Sequence, residues 1–131
     1  MSSYLLDTSV IIDYLRDKEE VVKKVDALEG ELSSSFICLS ELYEGVARVK
    51  NQKEVEEKIL NFFATLSRTW ALDYDISRTF GLVRASLKKS GTIIEDLDIF
   101  LGATCIARHI TLATRNPKHF SRIPGLEIVS I

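Results

Sequence analysis

The chain has 131 residues, 46% of them hydrophobic and 27% charged, which fits one globular domain over residues 1–131 and excludes a disordered or fibrous chain. The formal net charge of -2 counts against a protein that rests permanently on nucleic acid, yet clustered carboxylates offset by bound cations leave that role open. No apolar run is long enough to span a membrane, and the start Ser2-Ser3-Tyr4-Leu5-Leu6-Asp7 lacks the basic region of a signal peptide, so a cytoplasmic location is expected.

In chain order, Tyr4–Leu6 reads as a first short strand. Val10, Ile11, Tyr14 and Leu15 then recur at helical spacing, with Asp7 or Thr8 as cap. An amphipathic stretch from Lys18 to Glu29 stops at Gly30. Phe36-Ile37-Cys38 reads as a second buried strand, and Leu39, Leu42, Tyr43 and Val46 predict a helix starting near Leu39. Val55, Ile59, Phe62, Phe63 and Leu66 mark another helix, and Trp70-Ala71-Leu72 a third strand. Asp75 can cap a helix carrying Ile76, Phe80, Val83 and Leu87 that stops near Gly91. Asp96 to Arg108 is apolar on most sides, as a central helix is. Thr111-Leu112-Ala113 and Glu127-Ile128-Val129 read as the last strands, with turns at Asn116-Pro117 and Pro124-Gly125.

Strands alternating with helices imply right-handed βαβ units, and hence a mostly parallel sheet of about five strands covered on both faces. Function in such a sheet lies at the carboxyl ends of the strands, where strand order reverses. Four oxygen-bearing side chains fall near such ends: Asp7 after the first strand, Glu41 after the second, Asp98 near the start of the apolar helix, and Asn116 after the fourth strand. Carboxylates gathered at one spot repel each other unless a cation neutralises them. Hard oxygen ligands suit Mg²⁺ or Mn²⁺, and such ions assist phosphodiester hydrolysis. Each residue also has a plainer reading. Asp7 and Asp98 serve equally as helix caps, and Glu41 as a solvated helix residue.

The local motifs go further. Leu5-Leu6-Asp7-Thr8-Ser9-Val10-Ile11-Ile12 resembles the opening motif of PIN domains, whose strand delivers the first acid. Ser40-Glu41-Leu42-Tyr43-Glu44-Gly45 resembles the second-acid motif, and Asp98-Ile99-Phe100-Leu101-Gly102-Ala103-Thr104 the third-acid helix. Thr114-Arg115-Asn116-Pro117-Lys118-His119-Phe120 and Arg122-Ile123-Pro124-Gly125-Leu126 are similar to the C-terminal segment of the VapC-type subgroup. The resemblance runs from about residue 4 to residue 129. It implies an α/β chain with a three-layer α/β/α PIN-like fold. It also implies Mg²⁺- or Mn²⁺-dependent cleavage of RNA, a homodimer, and neutralisation by a VapB-type antitoxin. Asp7, Glu41 and Asp98 are then the catalytic acids, and the metal site comprises Asp7, Asp98, Glu41 and Asn116. The sequence departs from the family pattern at Gly102, where Ala is commoner, and at Asn116, where many relatives carry Asp.

Other residues keep modest expectations. Asp96 reads as a cap or a supporting group, Asp13 and Glu44 as solvated helix residues, and Arg84 as a paired or snorkelling arginine that could also face a partner. Arg115, Lys118 and Arg122 either meet RNA phosphates or lie on a solvated loop. Cys38 and Cys105 read as reduced core residues. Competing activities fit less well. A haloacid-dehalogenase-type phosphatase wants a second Asp two residues after the first, where this chain has Ser9, and a dinucleotide site wants Gly-x-Gly-x-x-Gly where it has Asp7-Thr8-Ser9-Val10. The alternative from another class is a PIN-like module that binds RNA or protein without cutting, against which the three intact acids speak.

Overall fold

A computed structural model describes residues 2–131 of the chain. Its elements are β1 (Ser3–Leu6), α1 (Thr8–Leu15), α2 (Glu19–Asp26), β2 (Glu31–Ser35), α3 (Phe36–Ala47), α4 (Gln52–Thr65), β3 (Arg68–Trp70), α5 (Tyr74–Lys89), α6 (Asp96–Arg108), β4 (Thr111–Thr114), α7 (Pro117–Phe120) and β5 (Ile128–Ser130). The five strands form one sheet in the order β3-β2-β1-β4-β5, and every neighbouring pair is parallel. Parallel pairing demands a crossover between strands, and the helices supply it. The right-handed crossover rule then places α1 to α4 over one face of the sheet and α5 and α6 over the other. The three-layer parallel architecture expected from the sequence is therefore present.

The core is aliphatic: Leu5, Leu6, Val10, Ile11 and Leu112 have no exposed surface. Strands buried on both faces need such side chains. The order reverses between β1 and β4. From β1 the chain moves outward through β2 to β3, and from β4 it moves the other way to β5. That reversal opens a crevice at the carboxyl ends of the two central strands.

The second strand is not Phe36–Cys38, as the sequence suggested, but Glu31–Ser35. Its Ser33, Ser34 and Ser35 are buried. Their hydroxyls find partners: Ser33 Oγ donates to the Tyr4 carbonyl at 2.9 Å and Ser34 Oγ to the Leu6 carbonyl at 3.0 Å. Ser35 Oγ accepts from the Ile37 N–H at 3.0 Å, so Phe36–Cys38 becomes the first turn of α3. Glu41 consequently lies in the second turn of that helix rather than its first. The third strand is likewise earlier than expected, at Arg68–Trp70, and Asp73 rather than Asp75 caps α5, its carboxylate accepting from the Ile76 N–H at 3.0 Å. Both cysteines are free and buried, as expected. Burial pushes the Cys38 thiol up to about 12, which makes it inert.

Gly102 has a packing reason. A Cβ there would stand 2.9 Å from Cδ1 of the buried Ile123, so an alanine would require the tip of that side chain to shift.

Candidate active site

Two strand ends deliver the first two groups. The backbone of Asp7 extends the β1–β4 ladder, its N–H donating to the Ala113 carbonyl at 3.0 Å. Its carboxylate turns into the crevice and caps α1, with Oδ1 accepting from the Thr8 N–H at 2.7 Å. Cap and site residue are thus the same Asp7. Asp7 is buried, and burial is the main reason its carboxyl is raised above the ordinary range; hydrogen bonds from Thr114 and Thr8 oppose this and the charge of Asp98 adds to it. Asn116 follows β4 and precedes Pro117 at the start of α7, where its side chain makes no capping hydrogen bond.

Two helices deliver the others. Glu41 projects from α3, and its Oε1 accepts a 2.7 Å hydrogen bond from Thr8 Oγ1. Its carboxyl is raised as well, by burial first and then by the charges of Asp7, Asp98 and Glu95, against the pull of Thr8. Asp98 stands in the first turn of α6, where unpaired backbone N–H groups favour an anion. Its Oδ2 lies 2.9 Å from His119 Nε2.

Asp7, Glu41, Asp98 and Asn116 all line one open cleft of about 660 Å³, together with Thr8, Ser9, Glu95, His119 and the apolar rim of Ile93 and Ile94. All four residues singled out in the sequence therefore meet at the switch point. Among the described residues, no three His, Cys, Asp or Glu side chains stand close enough to grip one ion together. Asp7, Glu41 and Asp98 line the same cleft without forming such a cluster. Oxygen donors of this kind suit Mg²⁺ or Mn²⁺, which keep several waters and use only a few carboxylates. The donor set is oxygen throughout, and the carboxyls of Asp7 and Glu41 are raised by burial first and by neighbouring negative charge after it.

Sequence reasoning missed Glu95, Thr114 and His119 as neighbours of the acids. His119 stood inside a quoted motif, and its position three residues after Asn116, on one turn of helix, was the available signal. Thr8 serves the site by holding Glu41. Asp96 points away and pairs with Arg84 at 2.8 Å, which settles both residues as an exposed ion pair. Asp13 is not solvated: its side chain is 15% exposed and pairs with Arg115 at 3.1 Å. Glu44 is exposed and pairs with Arg48 one turn on. Arg115 and Arg122 are both tied to the protein, Arg115 to Asp13 and Glu20, Arg122 to the His119 and Ile93 carbonyls. Among the described residues no helix is long and apolar enough to cross a membrane.

The PIN domain family profile matches residues 4–126. Ribonuclease VapC1 of Methanocaldococcus jannaschii is 34% identical over 97% of this chain and 87% of its own length. The tRNA(fMet)-specific endonuclease VapC of Salmonella typhimurium is 27% identical over 98% of this chain and 97% of its own. Among solved structures, VapBC2 from Rickettsia felis bound to a DNA fragment from their promoter superposes with a TM-score of 0.90 at 26% identity, covering 98% of each chain.

Proposed function

This chain belongs to the PIN-domain family, and we propose that its acidic cleft hydrolyses RNA phosphodiester bonds with a divalent cation, as the toxin of a VapBC-type pair. The observation that carries the reading is the meeting of Asp7, Glu41, Asp98 and Asn116 in one cleft at the point where strand order reverses. Asp7, Asp98 and Glu41 would hold Mg²⁺ or Mn²⁺ through carboxylate oxygens, directly or through water, and Asn116 through its amide carbonyl. When bound, the cation supplies Lewis-acid activation of water and charge neutralisation at the phosphoryl group.

The chain's own residues supply the positioning. Thr8 and Thr114 hold Glu41 and Asp7 in fixed rotamers by hydrogen bonds of 2.7 and 2.8 Å, so little reorganisation precedes reaction. Asp7 sits at the bottom, where burial strengthens its attraction for any cation. The open cleft admits an extended strand, and Ile93 offers an exposed apolar edge beside the acids for a base to rest on.

An apolar groove adjoins the cleft between α1, α3 and α4, lined by Leu15, Leu42, Val46, Val49 and Ile59, and shares Ile12 and Glu41 with it. This continuity supports an antitoxin segment that lies along the groove and enters the cleft. An Arg of that segment paired with the acids would take the place of the cation. A symmetric homodimer, which the motif resemblance implies, belongs to the same proposal.

The test is cleavage of RNA by the purified chain with Mg²⁺ or Mn²⁺, then with chelator, then with a cognate VapB-type antitoxin. Cleavage that needs the ion and stops when that protein is added is the expected result. Metal-bound protein that binds RNA and never cuts it would instead favour the non-catalytic module.

A further inference from the structure

We infer that Arg122 and His119 act as a positioning pair for Asp98: Arg122 fixes which imidazole nitrogen carries the proton, and His119 holds one Asp98 oxygen so that the other faces the cleft. The inference rests on the metal-nuclease reading and extends it to two residues outside the acidic set.

The geometry begins at Arg122. Its guanidinium makes three hydrogen bonds to the chain: Nε to the His119 carbonyl at 3.0 Å, one terminal nitrogen to the Ile93 carbonyl at 3.3 Å, and the other to His119 Nδ1 at 2.6 Å. A guanidinium has donors only, so Nδ1 must be the acceptor in the last of these. The ring's single proton is then on Nε2. That nitrogen lies 2.9 Å from Asp98 Oδ2 and donates to it. A ring held at only one nitrogen could exchange its proton position, whereas this one is held at both. The plane of the ring is set as well, edge-on to the buried Phe120 with centroids 4.9 Å apart.

The consequence falls on Asp98. With Oδ2 engaged by His119, Oδ1 has no protein donor among the described residues and is the oxygen left for a cation or its water. A carboxylate with one oxygen pinned presents the other in a single direction, which is how partners behind a ligand raise metal affinity. Arg122 also ties the Ile93 carbonyl, on the loop leading into α6, to the turn that carries His119. The same side chain therefore sets the distance between the two segments that approach Asp98.

The test uses the full chain and Mn²⁺ as probe. In ¹⁵N spectra of the unaltered protein, His119 should show a protonated Nε2 and an unprotonated Nδ1 shifted by its hydrogen bond. In Arg122→Ala the Nδ1 signal should move to the position of a free acceptor. By calorimetry, His119→Ala should bind Mn²⁺ on the order of 10-fold more weakly, and His119→Gln, whose amide can donate to Asp98, should recover most of the loss. A proton found on Nδ1 overturns the inference, and so does unchanged Mn²⁺ affinity in folded His119→Ala. If Asp98→Asn loses Mn²⁺ while His119→Ala keeps it, only this inference fails. If the unaltered protein binds no Mn²⁺, the metal-nuclease reading fails and the inference with it.

Discussion

Thr114 Oγ1 donates a 2.8 Å hydrogen bond to Asp7 Oδ2, joining the carboxyl ends of β4 and β1 across the switch point. The same hydroxyl accepts from the Asn116 backbone N–H at 3.0 Å. One fully buried side chain thus sets both the acid that follows β1 and the amide that follows β4. Neither end could shift without breaking its hydrogen bond to the buried Thr114 hydroxyl.

Thr114→Val tests that connection. Valine keeps the shape and removes the hydroxyl, leaving Asp7 Oδ2 and the Asn116 N–H short of a partner. Stranding buried polar groups costs roughly 1–3 kcal/mol, so the urea midpoint should fall by a corresponding amount. Because Thr114 holds the Asp7 carboxyl down, its loss should raise that carboxyl further and weaken Mn²⁺ binding near neutral pH. A variant with the stability and Mn²⁺ affinity of the unaltered chain would show that the strand ends are held by the sheet alone.

The raised carboxyl of Glu41 gives stability a pH dependence of known sign in chelator. Burial, followed by neighbouring negative charge, lifts it in the folded chain. The folded state therefore binds more protons than the unfolded state between the ordinary carboxylate value, about 4, and the raised one. The contribution of Glu41 is fully present below the ordinary value and is lost as pH rises through the folded value. Glutamine does not titrate, so Glu41→Gln should gain stability relative to the unaltered chain as pH rises from the ordinary carboxylate value through the raised one. Denaturant midpoints for the two proteins across that range measure it. A difference that stays constant with pH removes the assigned cause.

The fold was legible where burial uses aliphatic side chains, and hidden where it uses serine. β1 and β4 announce themselves by Leu5-Leu6 and Leu112-Ala113, and α6 by its nearly all-round apolar surface. β2 reads Glu31-Leu32-Ser33-Ser34-Ser35, and no hydropathy pattern marks it. Ser33 and Ser34 are buried because carbonyls of β1 accept their protons, a fact that exists only once the two strands are paired. The misplaced strand then moved the start of α3, but not the acid: Glu41 reaches the cleft from the second turn because the helix points there. The four candidate residues were legible through local motifs, each a few residues long. Their partners were not, since Thr114 and Asp7 are 107 residues apart and no local spacing links them.

Gly30 controls the approach of β2 to β1. Its φ of +147° lies where side chains are strained, and a Cβ there would stand 2.2 Å from the Ser2 carbonyl oxygen. That carbonyl accepts from the Glu31 N–H at 3.0 Å, the first bond between the two segments. Gly30→Ala must therefore break the start of the ladder or hold a strained backbone, and backbone strain of this kind costs on the order of 1–3 kcal/mol. Gly45→Ala is the control, because a Cβ at Gly45 meets nothing within 4 Å. Thermal melts of the two should separate clearly, with Gly30→Ala the less stable; equal midpoints would mean the segment relaxes freely.

The site residues should rank by charge. Asp7 and Asp98 matter most if the cleft binds a cation, because an ionised carboxylate both neutralises and orients it. Asp7→Asn and Asp98→Asn keep shape and remove charge, and each should reduce RNA cleavage on the order of 10²-fold or more, the scale of losing a main electrostatic stabiliser. Glu41→Gln should follow closely, since the Thr8 hydroxyl still finds an acceptor in the glutamine carbonyl. Asn116 is already neutral and exposed, so it offers at most a carbonyl oxygen or a hydrogen bond to water on the ion. Asn116→Ala should lose about 10-fold, as supporting groups around a metal do. Asn116→Asp adds a charge opposite Asp7 and Asp98 and should raise activity at low Mg²⁺. Cleavage rates of the purified variants over a Mg²⁺ titration, with folding checked by thermal melts, decide the order. Should folded Asn116→Ala prove as inactive as Asp7→Asn, charge is not what ranks these residues, and Asn116 must then orient the attacking water or the scissile phosphate directly.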